Sequence, residues 1–264
     1  MKFAKFVPEF PIFALRMREF RIIHIDETDS TNRWMKELIQ LHPSEETQHE
    51  MVVVCDYQTA GRGCGSNSWE SEPGKNLLMS VLMHPRKVSA RTQFIITQIV
   101  SVALCNTLQR FLSPLPSPLS IKWPNDIYVG NKKICGVLIE NSIAGRRIKD
   151  CIIGIGLNVN QTEFRSDAPN PVSMAQLTGK EMNREEVLNA FLNELSKQCE
   201  NRNIHRDYLR MMYRCDGMYP FETEGTRFMA RVVGVNDDGR LMLEDEDGIA
   251  HLYRFKEVTF IIKD

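Results

Sequence analysis

The chain lacks any CxxC pair. Its seven cysteines are an odd number scattered along 264 residues, and its six histidines are equally dispersed. That spacing gives no support for a metal site of Cys/His pairs. It implies free thiols in a reducing, cytoplasmic compartment rather than a disulfide framework. A basic surplus is also missing: 33 Lys and Arg stand against 34 Asp and Glu, a net charge of -1. A chain built mainly to grip nucleic acid is therefore not expected. No run of about 18 apolar residues is seen, so no membrane span is expected. No internal repeat and no low-complexity tract occurs. The glycine-rich stretch QTAGRGCGSNSW (58–69) is not a nucleotide loop of the usual kinds. It has no following Gly-Lys-Ser/Thr, and its third glycine falls too soon for GxGxxG.

What is present is an ordinary globular composition, 42% hydrophobic and 25% charged, long enough for one large domain and a small one. The N-terminus, MKFAKFVPEFPIFALRMREF, has two early lysines and an apolar run. Pro8, Glu9 and Pro11 interrupt it, and Arg16 and Arg18 stand where a signal-peptide cleavage site should be. Residues 1–20 are read as an extension, dispensable before Met17.

Local pattern predicts the elements. RIIHI (21–25), MVVVCDYQ (51–58), NLLMSVLM (76–83) and CIIGIGLNVN (151–160) read as strands. Asp29 or Ser30 can cap a helix with Trp34, Leu38 and Leu41 at helical spacing. Residues 90–111 are periodic enough for a helix packed on a sheet. The prolines of SPLPSPLS (113–120) demand a turn. IKWPNDIYVGNKKICGVLIEN (121–141) reads as a hairpin turning at Gly130-Asn131. Asn183–Gln198 places Val187, Leu188, Phe191, Leu192 and Leu195 on one helical face, and Asn201–Cys215 suggests a second helix. From Thr226 short strands alternate with Asp-Gly turns. The expected class is α+β: a mixed sheet with packed helices over 21–216, then a small C-terminal SH3-like β-barrel over 217–264.

Four stretches combine unusual residue types. In the glycine loop, Gly61, Gly63 and Gly65 allow close backbone approach to an anion, and Arg62 offers a planar fork for carboxylate or phosphate oxygens. A plain turn satisfies the same glycines. In KWPNDI (122–127), a lysine and an aspartate flank a stiffening proline; the bland alternative is a capped turn with Trp123 in the core. In NKKICGVLIE (131–140), Lys133 stands three residues before Gly136. A strand glycine marks close approach by a ligand or simply a bulge. In GIGLNVN (154–160), Asn158 closes an apolar strand, as a ligand contact or a strand-end cap.

Taken together and in this order, DSTN (29–32), QTAGRG with its closing Trp69, KWPNDI, KICGVLIE and GIGLNVN, followed by a small β module, resemble the biotin protein ligases. The resemblance runs from about Ile22 to the C-terminus. It implies an enzyme that uses MgATP to convert biotin into biotinyl-5'-AMP. Biotin then passes to a lysine of a biotin carboxyl carrier domain, the expected partner. On that resemblance Ser30, Thr31, Asn32, Gln58, Gly61, Arg62, Gly63, Lys133 and Gly136 bind biotin. Arg62, Cys64, Trp69, Lys122, Asn125 and Asn158 bind ATP or the adenylate. Lys133, Arg62 and Asp126 are catalytic, and Mg²⁺ arrives with ATP rather than on dedicated ligands. A homodimer is compatible with the resemblance. Only about twenty residues precede the first strand, so a ligase without a DNA-binding domain, and without repressor activity, is expected.

The charge logic fits. Adenylation brings a carboxylate toward an anionic phosphate, and cations must neutralise the charge as it develops. Transfer needs a neutral amine, although free lysine titrates near ~10.4; a neighbouring carboxylate, here Asp126, can accept its proton. One departure stands out. Further basic residues commonly follow the GRG loop in the family, and here Cys64, Gly65, Ser66 and Asn67 take those places. A lipoate ligase on the same scaffold, a non-catalytic biotin or adenylate sensor, and an RNA-binding barrel are the alternatives. The acidic stretch Glu244–Asp247 speaks against the last.

Overall fold

The computed structural model describes residues 20–42, 49–166 and 170–262. The expected extension, with its start at Met17, lies outside the described residues apart from Phe20. The larger sheet has seven strands: β1 (Arg21–Thr28), β2 (Met51–Gln58), β3 (Leu77–Met83), β4 (Leu119–Lys122), β5 (Asp126–Val129), β6 (Lys132–Ala144) and β7 (Arg147–Leu157), in the order β1-β2-β3-β7-β6-β5-β4. Only β1 and β2 run parallel; every other neighbouring pair is antiparallel, so the sheet is mixed.

Strand alternation explains how helices cover both faces. Val52 and Val54 of β2 enter one core, while Met51 and Val53 enter another. The first core packs against α2 (Phe94–Leu112), with α4 (Arg184–Gln198) and α5 (Ile204–Arg210) beyond it. The second, smaller core packs under α1 (Thr31–Leu41), through Met35 with Leu82 and Ile152. All five apolar residues expected on the inner face of α4 are buried.

Several expectations change. Helix α2 is 19 residues long with a mean hydropathy of 1.3, enough by length and composition to cross a membrane. Two-thirds of it is buried inside the fold. It is apolar all round because the sheet covers one side and α4 and α5 the other. The second helix expected over 201–215 is confined to α5. Beyond it, the Tyr213 N–H donates to the Ile121 carbonyl and the Ile121 N–H to that of Met211, at 2.9 and 2.7 Å. Those backbone groups pair along the edge of β4 instead of continuing a helix. Ser30 occupies the N-cap position of α1 without a side-chain cap hydrogen bond, and Leu41 is exposed at the helix end. A short helix, α3 (Met174–Thr178), closed by a capping box between Ser173 and Gln176, has too few residues to show a period in the sequence.

The C-terminal region forms a second sheet from β8 (Tyr219–Thr223), β9 (Thr226–Val235), β10 (Leu241–Asp245), β11 (Ala250–Tyr253) and β12 (Thr259–Phe260), ordered β11-β10-β9-β8-β12 and antiparallel throughout. Its core is continuous with the main one: Phe221, Val232, Leu241, Leu243 and Phe260 belong to the same buried cluster as α2 and the larger sheet. Trp123 fastens the joint. It is buried, its Nε1 donates to the Gly239 carbonyl at 2.9 Å, and its ring meets Phe255 edge-on at 6.0 Å.

Candidate functional site

A cavity of about 770 Å³ opens on the α1 face of the larger sheet. Its floor comes from alternate residues of β6 and β7, where Gly136 pairs with Gly156 and Leu138 with Gly154. Those glycines make room for side chains. A Cβ on Gly154 would stand 2.4 Å from Asn32 Oδ1, and one on Gly156 2.4 Å from the indole of Trp69; at Gly136 the nearest indole atom would be 2.8 Å away. The ring of Trp69 therefore lies directly on bare strand backbone.

At one end of the cavity is a row of buried polar groups. Gln58 Oε1 accepts from the Thr31 N–H and Oγ1 at 2.8 and 3.1 Å. Ser80 Oγ lies 2.8 Å from Thr31 Oγ1 and 2.6 Å from Asn32 Oδ1. Two hydroxyl protons thus serve three oxygen–oxygen contacts, which leaves acceptor capacity for an incoming N–H donor. Asn32 Nδ2 is tied to Glu140 Oε2 at 2.7 Å, and Lys36 holds the other carboxylate oxygen at 2.6 Å. Burial works to raise the Glu140 carboxyl, but hydrogen bonds from Lys36 and Asn32 and the charges of Lys36 and Arg62 outweigh it and hold it below its ordinary value. Ser30, whose hydroxyl makes no cap bond, completes this wall.

At the other end the cations gather. Lys133 Nζ pairs with Asp126 Oδ2 at 2.8 Å and stands 5.6 Å from the centre of the Trp69 ring. Lys122 faces Asp126 in the β4–β5 register and lies over Tyr128 and Phe260. Burial, with the charges of Lys133 and Arg214, pulls the Lys122 ammonium below its ordinary value against the attraction of Asp126. The KWPND segment is held from behind by the buried Tyr208, whose hydroxyl donates to the Pro124 carbonyl at 2.7 Å. Asn125 is engaged with the Val137 carbonyl at 3.2 Å.

The glycine loop is a small flap closed on itself. Arg62 and Ser68 bridge antiparallel, and the N–H groups of Gly63 and Trp69 donate to Asn67 and Gly61 carbonyls at 2.7 and 2.9 Å. The Gly63 N–H is consequently not free for an anion. Arg62 and Cys64 are exposed and line the cavity, whereas Gly61 is buried behind the wall. Among the residues lining the cavity, two buried polar side-chain atoms have no protein partner: Trp69 Nε1, a donor, and Asn158 Oδ1, an acceptor. Asn158 Nδ2 is already used by the Val172 carbonyl at 3.1 Å.

Residues 25–158 match the model of the biotin/lipoate A/B protein ligase family. The bifunctional ligase/repressor BirA of Bacillus spizizenii is 30% identical over 250 residues, which span 88% of this chain and 72% of that protein. The chain belongs to the biotin/lipoate A/B protein ligase family. Another member of similar sequence, the biotin–[acetyl-CoA-carboxylase] ligase of Mycobacterium tuberculosis, is 24% identical over 83% of this chain and 82% of its own length. The biotin protein ligase of Aquifex aeolicus, solved in complex with biotin and ATP, superimposes with a TM-score of 0.73 at 25% identity, covering 92% of this chain and 99% of that one. The mixed sheet, its packed helices and the small antiparallel sheet thus follow the fold of biotin protein ligases.

Within this family fold, some wall residues were not among the site residues expected from the sequence. Ser80 is the single polar residue of the strand LLMSVLM, a signal that was available in the sequence. Glu140 and Lys36 meet across more than a hundred residues. Glu70 accepts from the backbone of Arg165 and Ser166 at 2.8 and 2.7 Å, tying the base of the flap to another wall of the cavity. Phe255 reaches the mouth from the small sheet.

Proposed function

We propose that this chain is a biotin protein ligase: it activates biotin with ATP as biotinyl-5'-AMP and passes biotin to a lysine of a biotin carboxyl carrier domain. One observation carries the reading. A hydrogen-bonding row suited to a small ureido head and a cluster of cations suited to an acyl-phosphate share one cavity, with Arg62 and Lys133 both in its wall. Biotin's ureido N–H groups would take up the acceptor capacity around Thr31, Asn32 and Gln58. Its apolar body would lie along Leu138 and the bare backbone of Gly154 and Gly156.

In the first step the biotin carboxylate oxygen attacks the α-phosphorus of ATP and the bond to pyrophosphate breaks. Lys133 and Arg62 would offset the charge growing on the phosphate oxygens, each contact contributing on the order of 3–4 kcal/mol to barrier lowering. An adenine amino group would satisfy Asn158 Oδ1. In the second step the carrier amine attacks the acyl carbon and AMP leaves. Lys133 turning from Asp126 to the α-phosphate would release that carboxylate to take the amine proton. Mg²⁺ would arrive with the nucleotide phosphates. Seven free cysteines support a cytoplasmic setting. No repressor role is proposed for the described residues.

The test is exchange of labelled pyrophosphate into ATP with biotin, lipoate or neither. Biotin-dependent exchange supports the proposal. Exchange only with lipoate selects a lipoate ligase, and tight biotin binding without exchange selects a sensor.

A further inference from the structure

The turn between β11 and β12 delivers another cation to the flap. The turn is held firmly: Arg254 N–H donates to Glu257 Oε2 at 2.6 Å, Glu257 N–H to the Arg254 carbonyl at 3.0 Å, and Thr223 Oγ1 to the Glu257 carbonyl at 2.7 Å. At its tip Phe255 packs on Trp123 and lines the cavity. Lys256 follows at φ 72°, a left-handed conformation that is costly for any residue with a Cβ. Its side chain runs to the glycine flap, where a Cβ on Gly65 would stand 2.6 Å from Lys256 Nζ. The backbone there favours glycine in its own right, since Gly65 has φ 70°.

Among the described residues Lys256 has no carboxylate partner. Its chain neighbour Glu257 is occupied by the Arg254 N–H; of the acids lining the cavity, Asp126 is held by Lys133, and Glu70 by the Arg165 and Ser166 backbone. The flap itself supplies one cation, Arg62, and its outer residues Cys64 to Ser68 carry none. An unpaired ammonium resting on Gly65, between the flap residues Cys64 and Ser66 that line the cavity, is placed for a polyanion. We propose that Lys256 is a substrate-binding residue contributed by the small C-terminal sheet, contacting the triphosphate of ATP over the closed flap. The inference rests on the ligase reading for the identity of the anion. It gives the small sheet a part in nucleotide binding.

The experiment compares the full-length wild type with Lys256→Met, Lys256→Glu and Lys256→Arg. The KM for ATP is measured in biotin-dependent pyrophosphate exchange, and the Kd for biotin by calorimetry without nucleotide. Lys256→Met is expected to raise the KM for ATP about tenfold, as for loss of one charged hydrogen bond. Lys256→Glu should raise it further and Lys256→Arg largely restore it, all with biotin affinity and melting temperature unchanged. A KM for ATP within twofold of wild type in Lys256→Met overturns the inference, as does an equal loss of biotin affinity. A wild type without biotin-dependent exchange defeats the ligase reading instead. Calorimetry with a non-hydrolysable ATP analogue then still decides: weaker binding by Lys256→Met supports the role of Lys256, and equal binding removes it.

Discussion

Replacing Gly156 by alanine tests whether the Trp69 ring is truly seated on the strands. The new Cβ would stand 2.4 Å from Cε2 and 2.5 Å from Nε1 of the indole. Ordinary contact between carbons needs ~3.5–4.0 Å, so the ring must retreat by roughly 1 Å. Overpacking of that kind typically costs about 1–3 kcal/mol. The flap bearing Trp69 is mostly exposed and can lift, which places the stability loss at the lower end, about 1 kcal/mol or roughly 2–4 °C in Tm. The greater loss falls on pyrophosphate exchange, because the displaced ring is the one that Lys133 stands over. The assay is a double-mutant cycle of Gly156→Ala and Trp69→Ala, read by melting and by exchange. With the indole removed, the added methyl at position 156 has room, and its cost in stability should fall within about 0.5 kcal/mol of zero. If the two substitutions add, the penalty at position 156 does not come from Trp69 and the seat is misassigned.

Asp126→Asn should slow transfer to a carrier lysine more than it slows pyrophosphate exchange; equal slowing of both half-reactions leaves Asp126 only its ion pair with Lys133. Glu140→Gln should raise the KM for biotin about tenfold while sparing that for ATP, since Asn32 loses its charged acceptor, and steady-state kinetics with each substrate varied will decide. The same carboxyl predicts a pH dependence. Its folded value lies below the ordinary one, so its stabilising contribution is complete above the unfolded value near 4.5 and fades as pH falls through the folded value. Acid titration of Tm should accordingly show a shallower decline in Glu140→Gln. Trp123→Phe removes the hydrogen bond to Gly239 and should cost about 1 kcal/mol, with faster amide exchange in β9 and β10 as the check.

The motif residues were readable because each answers a local demand. A glycine inside a strand, a lysine three places before it, and a proline between a lysine and an aspartate are visible without a fold. Their partnerships were not. The Lys133–Asp126 pair arises from the register of β5 against β6, and the Asn32–Glu140–Lys36 network from the packing of α1 on β6. GIGLNVN drew attention to Asn158, yet Gly154 and Gly156 matter through side chains that arrive from positions 32 and 69. Helical spacing foretold the buried face of α4 but overreached at Asn201–Cys215, where pairing with β4 competes for the same backbone groups. Likewise, hydropathy alone does not distinguish α2 as a buried helix; the elements stacked on both its sides do.

The unusual tip of the flap has a practical consequence. Only Cys64 and Cys215 present their sulfur to solvent, while the remaining five thiols are shut inside. Burial pushes Cys105, Cys135 and Cys151 far from thiolate formation, and the thiolate is the species that alkylating dyes attack. A Cys215→Ser chain is therefore a ready-made single-label probe, with a fluorophore on the flap at the cavity wall.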